Sequence, residues 1–155
     1  MNAGKTNILM VCLGNICRSP LAEGILKSKL PENLYFIDSA GTGGWHAGEA
    51  PDRRSIQVAR KFGIDISNQR ARQIHPTDFE KFDIIFAMDH YNKRDLLQMA
   101  PNSIASKKVT LILDYLKDSE KINVPDPYYG NERDFEHVFY LLDEVCEIIS
   151  KNLIK

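Results

Sequence analysis

The sequence predicts an α/β fold: a four-stranded parallel sheet with helices on both faces, three layers in a single domain. Four short runs, 7–12, 34–40, 83–88 and 108–113, are dominated by apolar residues, as strands covered on both faces must be. Stretches whose apolar residues recur at helical spacing lie between and after them. Strands that alternate with helices pair in parallel through right-handed crossovers. The 155 residues suffice for one sizeable core, and no linker, internal repeat or low-complexity segment interrupts them.

Residues 1–6 are polar and expected to be loose. Gly4-Lys5-Thr6 has the ending of a nucleotide-binding loop but no strand ahead of it, so no nucleotide site is read there. Asn7 to Cys12 is the first strand. Leu21 to Leu30 is the first helix, with Leu21 and Ile25 on its core side, ended by Pro31-Glu32-Asn33. Leu34 to Ala40 is the second strand, and Gly41 to Pro51 is a glycine-rich loop holding Trp45 and His46. Asp52 to Phe62 is helical through Ile56, Ala59 and Phe62, with Gly63 as its C-cap. Thr77 to Phe82 is a short helix capped by Thr77, with Glu80 three residues on. Asp83 to Met88 and Lys108 to Leu113 are the third and fourth strands, with a helix from Asp89 to Met99 between them. The loop 123–131 leads to a long helix, Asp134 to Leu153, whose core side is Phe135, Val138, Phe139, Leu142, Val145, Cys146 and Ile149. The ordered core therefore spans about 7–153.

Charge excludes several classes of partner. With 20 basic and 21 acidic residues the net charge is −1, so neither nucleic acid nor a membrane surface is expected to bind. Attraction for a phosphorylated ligand must then be local. The apolar run Ile8 to Leu13 is too short for a secretory segment or a bilayer span. Three cysteines, at 12, 17 and 146, make an odd count that argues against a disulfide framework and for a reducing cytoplasm. The four histidines, at 46, 75, 90 and 137, show no metal-ligand spacing, and no cofactor is implied.

The chemistry concentrates in Val11-Cys12-Leu13-Gly14-Asn15-Ile16-Cys17-Arg18-Ser19-Pro20. A strand enters this stretch and a helix leaves it. Gly14 and Asn15 tolerate left-handed backbone, which lets successive amides turn inward as a nest for an anion. Ser19 reads as an N-cap and Pro20 as the first helical residue, aiming a helix N-terminus at the same centre, and the Ser19 hydroxyl could donate to the Cys12 sulfur. A positive environment favours the thiolate of a cysteine. Arg18 can grip two oxygens with its planar fork, which a lysine cannot copy. Most cysteine–arginine pairs are structural; here the spacing coincides with a strand, a nest and a helix start. In such sheets ligands bind beyond the carboxyl ends of strands, at a switch in strand order, so the loop of Asp126 after strand four can meet that of Cys12 after strand one.

Val11 to Ser19 resembles the active-site loop of the low-molecular-weight protein tyrosine phosphatases. The similarity continues through Asp38-Ser39-Ala40, Trp45, Arg70-Ala71-Arg72-Gln73, Met88-Asp89 and Asp126-Pro127-Tyr128-Tyr129-Gly130. It implies the phosphotyrosine phosphatase I-like fold, with Cys12 as nucleophile, Arg18 as phosphoryl ligand and Asp126 as general acid. Leu13, Gly14, Asn15, Ile16, Cys17 and Ser19 would form the substrate cradle, with Ser39 and Asp89 in support. Asp-Pro is otherwise a common turn, but a phenolate leaves readily only if an acid protonates it, and the same carboxylate can then activate water. Trp45, Tyr128 and Tyr129 are expected to wall a slot for an aromatic ring. Cys17 matches the cysteine that in this family pairs reversibly with the nucleophile. Many relatives carry a histidine where this chain has Gln69, leaving open what supports the loop there.

The resemblance implies hydrolysis of phosphotyrosine in protein substrates by a cytoplasmic monomer or weak dimer, through a cysteinyl-phosphate. Arsenate reductases share the loop but need downstream redox cysteines, and none lies between Cys17 and Cys146. Arginine phosphatases have a threonine where this chain has Ile16. A phosphopeptide-capture module would not need the full set of reactive groups.

Overall fold

The strand that enters the cysteine loop, β1 (Thr6–Cys12), lies inside a sheet ordered β2-β1-β3-β4. The other strands are β2 (Tyr35–Gly41), β3 (Ile84–Ala87) and β4 (Val109–Leu111), and every neighbouring pair is parallel. This computed structural model describes residues 4–154. Residues 1–3 of the expected loose start, and Lys155, lie outside the described residues.

Alternation along β1 divides the core. Ile8, Met10 and Cys12 face one layer, built on α1 (Arg18–Lys29), α2 (Arg53–Lys61) and α6 (Glu132–Ile154). Leu9 and Val11 face the other, built on α3 (Asp78–Lys81), α4 (His90–Met99) and α5 (Ser103–Lys107). Ile8 to Val11 are wholly inaccessible to solvent, which is why the first run reads as uniformly apolar. The core side expected for the last helix is the buried side of α6. Because β1 pairs with β2 on one side and β3 on the other, the crossover from β1 to β2 and the one from β2 to β3 run in opposite directions across the sheet, and a crevice opens at the carboxyl end of β1. No helix among the described residues is long and apolar enough to cross a membrane.

Several local expectations are corrected. The first helix begins at Arg18, three residues before Leu21, because the polar Arg18 and Ser19 have buried partners that a pattern of apolar residues cannot reveal. The fourth strand stops at Leu111; Ile112–Leu116 turn into a 3-10 helix although Ile112 and Leu113 are buried, and an apolar run does not distinguish the two. α5 is only five residues long, too short to show a period. Thr77 occupies the N-cap of α3 without a side-chain cap bond. Its hydroxyl meets His75 Nδ1 at 3.0 Å, while Asp78 accepts the His75 amide at 2.7 Å, so the expected capping box does not form.

Candidate active site

Between the end of β1 and the start of α1 only five residues, Leu13 to Cys17, turn the chain. Asn15 takes the left-handed step at φ +58°, and its side chain is the frame of the loop. Its Nδ2 donates to Ser19 Oγ at 2.8 Å and to Ser39 Oγ at 3.0 Å, and its Oδ1 accepts from the Arg72 amide at 3.0 Å. The loop carbonyls are drawn outward: Cys12 O accepts from Thr42 N (2.9 Å), Leu13 O from Gly43 N (2.9 Å) and Ile16 O from Asp52 N (2.7 Å). Gly41 makes this possible, since a Cβ there would lie 2.7 Å from Leu13 O and 2.9 Å from Gly43 O. Among the described residues, no protein group accepts from the amides of Leu13 to Cys17. Five consecutive donors are thus free for an oxyanion.

Of the two expected roles of Ser19, the helix cap is not filled and the contact with the sulfur is. α1 starts two residues earlier, with Cys17 in the cap position making no side-chain cap bond. The Ser19 hydroxyl instead lies 3.0 Å from Cys12 Sγ. Because Ser19 Oγ already accepts from Asn15, its own proton is available to the sulfur. Pro20 becomes the third helical residue, still within the turn where a missing amide costs nothing. The helix start remains directed at the loop.

Cys12 and Arg18 are each 3% exposed. Arg18 Nη1 donates to Asp89 Oδ2 at 2.6 Å and to Val124 O at 3.1 Å, and Nη2 lies 3.7 Å from Asp126 Oδ2. Burial disfavours this cation, but Cys12 and Asp89 outweigh it and hold the guanidinium above its usual range. Asp89 works twice, since its Oδ1 also caps α4 by accepting from the Asn92 amide at 2.8 Å.

The Asp126 loop reaches this edge through Val124, whose amide donates to Met88 O just beyond β3, at 2.8 Å. Cys12, Leu13, Gly14, Ile16, Cys17, Arg18, Trp45, His46, Asp126, Tyr128 and Tyr129 line one cavity of about 240 Å³. Asn15, Ser19 and Ser39 are buried, bonded to one another behind that lining, and Asp89 lies against Arg18. The aromatic residues are less enclosing than a slot. Tyr128 is the most covered of the three, facing His46 with ring centroids 6.5 Å apart. Trp45 (71% exposed) and Tyr129 (96% exposed) stand at the open rim.

Several participants had no signal in the sequence. Glu23 sits within a helix as an ordinary polar residue, yet it is buried and accepts from Ser39 Oγ at 2.7 Å and from Lys27 Nζ at 2.5 Å. Burial pushes its carboxyl above the usual range, against the opposing pull of Lys27 and Ser39. Glu23 therefore closes the Asn15–Ser39 network. Gln69 does not enter it: its Nε2 donates to Pro20 O at 3.1 Å and its buried Oε1 has no partner among the described residues. Arg72 is pinned by Asp38 and Asp78, which steadies the amide that meets Asn15. His46, weighed in the sequence only as a metal ligand, lines the cavity. Burial, with Asp52 adding to it, pushes the Cys17 thiol upward. Cys146 is wholly buried in the core.

A buried thiol beside free amides, a fixed guanidinium and a carboxyl lining the same cavity make a candidate thiol-based oxyanion site at the end of a parallel sheet. The profile of the family described as low molecular weight phosphotyrosine protein phosphatase matches residues 7–155. Low molecular weight protein-tyrosine-phosphatase YfkJ of Bacillus subtilis is 42% identical over 154 residues, 96% of each chain. The crystal structure of a protein tyrosine phosphatase from Entamoeba histolytica matches with a TM-score of 0.91, at 36% identity over 97% of each chain. Vibrio vulnificus Wzb in complex with benzylphosphonate matches with a TM-score of 0.87, at 30% identity over 96% of this chain and 99% of that one. The chain belongs to the low molecular weight phosphotyrosine protein phosphatase family, and that membership makes it a phosphoric monoester hydrolase.

Proposed function

We propose that the protein, acting as one domain, hydrolyses phosphotyrosine in protein substrates, and small aryl phosphates, through a cysteinyl-phosphate intermediate. The observation that carries this reading is the shared cavity: Cys12 and Asp126 both line it, and Arg18 reaches from the thiol's loop to within 3.7 Å of the carboxylate. The phosphoryl oxygens bind the amides of Leu13 to Cys17 and the outer N–H groups of Arg18. The Cys12 thiolate attacks phosphorus as the P–O bond to the aryl group breaks, and Asp126 gives its proton to the departing phenolate. The ionised Asp126 then takes a proton from a water that attacks the cysteinyl-phosphate, releasing inorganic phosphate. The Ser19 hydroxyl, donating to Sγ, stabilises the thiolate before attack and again as it leaves.

The Wzb relative is in complex with benzylphosphonate, an aromatic phosphonate, and in this chain Tyr128 and His46 line the cavity of Cys12, where an aromatic phosphate ester would sit. The enzyme works in a reducing cytoplasm, which keeps Cys12 free. Cys17 lines the same cavity and stays protonated, so it would close a protective disulfide only after Cys12 is oxidised.

Steady-state kinetics on variants test the roles. Cys12→Ser should abolish turnover of an aryl phosphate while inorganic phosphate still binds; retained turnover overturns the assignment. Asp126→Ala should lower kcat/KM far more for phenyl phosphate than for para-nitrophenyl phosphate, whose leaving group needs less protonation. Equal losses would remove Asp126 as the acid.

A further inference from the structure

We propose that Arg54 is the positioning residue of the acid loop: from the first turn of α2 it holds the Tyr128 and Gly130 carbonyls and so sets where Asp126 stands over Cys12. The inference rests on Asp126 being the general acid. Arg54 Nη2 donates to Tyr128 O at 2.9 Å and Nη1 donates to Gly130 O at 3.1 Å. Its remaining contacts fix the fork itself. Nε and Nη2 donate to the two oxygens of Asp52, each at 3.0 Å, and the guanidinium carbon lies 4.4 Å from the centre of the Phe135 ring.

The same helical turn also holds the nucleophile's loop. The Asp52 amide donates to Ile16 O at 2.7 Å, and Ser55 Oγ donates to Cys17 O at 3.4 Å. Residues 52–55 therefore grip the cysteine loop by its backbone and the aspartate loop through Arg54. Within 125–130 the other hydrogen bonds among the described residues are internal, Gly130 N to Pro127 O and Tyr128 N to Asp126 Oδ1. Val124 anchors the entry to this exposed loop through Met88 O and Arg18; on the far side of Asp126 the hydrogen bonds that tie it to the rest of the site are those of the Arg54 fork. Lysine would not reproduce it, because one ammonium cannot span a carboxylate and two carbonyls in one plane.

Losing the fork should leave phosphate binding intact and degrade proton transfer. Arg54→Met keeps the apolar stem over Phe135 and removes every donor. General acids contribute about 10²–10⁴-fold, so a misplaced Asp126 should cost about tenfold in kcat/KM for phenyl phosphate and much less for para-nitrophenyl phosphate. In an Asp126→Ala background, Arg54→Met should cause no further loss. Arg54→Lys, the milder change, should shift the leaving-group dependence in the same direction but less. Equal loss on both substrates, an undiminished loss in the Asp126→Ala background, or no shift in Arg54→Lys would overturn the proposal, since a purely structural residue behaves that way. If Asp126→Ala itself lacks leaving-group dependence, the acid reading and this proposal fall together; if it has it and Arg54→Met does not, the positioning role alone is refuted.

Discussion

Asp89→Ala and Asp89→Asn separate two jobs of one carboxylate. Asp89 Oδ2 lies 2.6 Å from Arg18 Nη1, and its Oδ1 accepts the Asn92 amide that starts α4. Asp89 is itself mostly covered, so water does little to screen the pair. Removing one partner of a buried ion pair costs about 3–5 kcal/mol. The lower end applies, because Val124 O at 3.1 Å still accepts from the same Nη1. Losing the cap adds about 1 kcal/mol, giving about 4 kcal/mol for Asp89→Ala. Asparagine keeps an oxygen for the cap and for Arg18, so it forfeits mainly the charge-assisted part, about 2 kcal/mol. In a chain of this size each kcal/mol lowers Tm by about 2–4 °C, which predicts losses of about 8–16 °C for the alanine variant and 4–8 °C for the asparagine variant. Thermal unfolding followed by circular dichroism measures both. Asp89→Asn melting with the wild type would show that charge does not hold Arg18. Equal melting of the two variants would show that the cap contributes nothing.

Two other expectations concern the frame of the loop. Gly41→Ala would push a methyl group against the carbonyls of Leu13 and Gly43, both backbone atoms that cannot swing aside. A displacement of the cradle approaching 1 Å should cut kcat/KM by up to about 10²-fold, and an unchanged value would refute the close packing argued for Gly41. Glu23 is held above its unfolded value by burial, so the folded state binds more protons than the unfolded one as pH rises through the window between the two values. Stability should therefore fall across that window, which opens at about pH 4.3, and Glu23→Gln should flatten the fall. Tm measured against pH for both proteins checks the sign; parallel curves would refute it.

Much of this protein is legible along the chain. The four apolar runs, the core side of α6, the glycine after α2 and the thiol-to-guanidinium spacing are all set by neighbours in sequence, where period and short-range chemistry operate. The limits of those rules are visible at Ile112–Leu116, where buried apolar residues form a 3-10 helix, and at the start of α1, where Cys17 rather than Ser19 takes the cap position. The tertiary structure alone decided which partners the polar groups of the site meet. Asn15 meets an amide 57 positions away, Arg18 a carbonyl 106 positions away, and Arg54 two carbonyls 74 and 76 positions away. Glu23 looks in sequence like any surface residue of a helix. Such partners carry no local pattern, because a buried donor or acceptor must be satisfied by whatever group packing delivers to it. The sequence by itself determined the sheet, the cysteine loop and the class of chemistry they serve. Packing determined which groups bond to that loop and its neighbours, Asp89 and Val124 on Arg18, Glu23 on Ser39 and Arg54 on the Tyr128 and Gly130 carbonyls, since only the assembled layers bring them within hydrogen-bond reach.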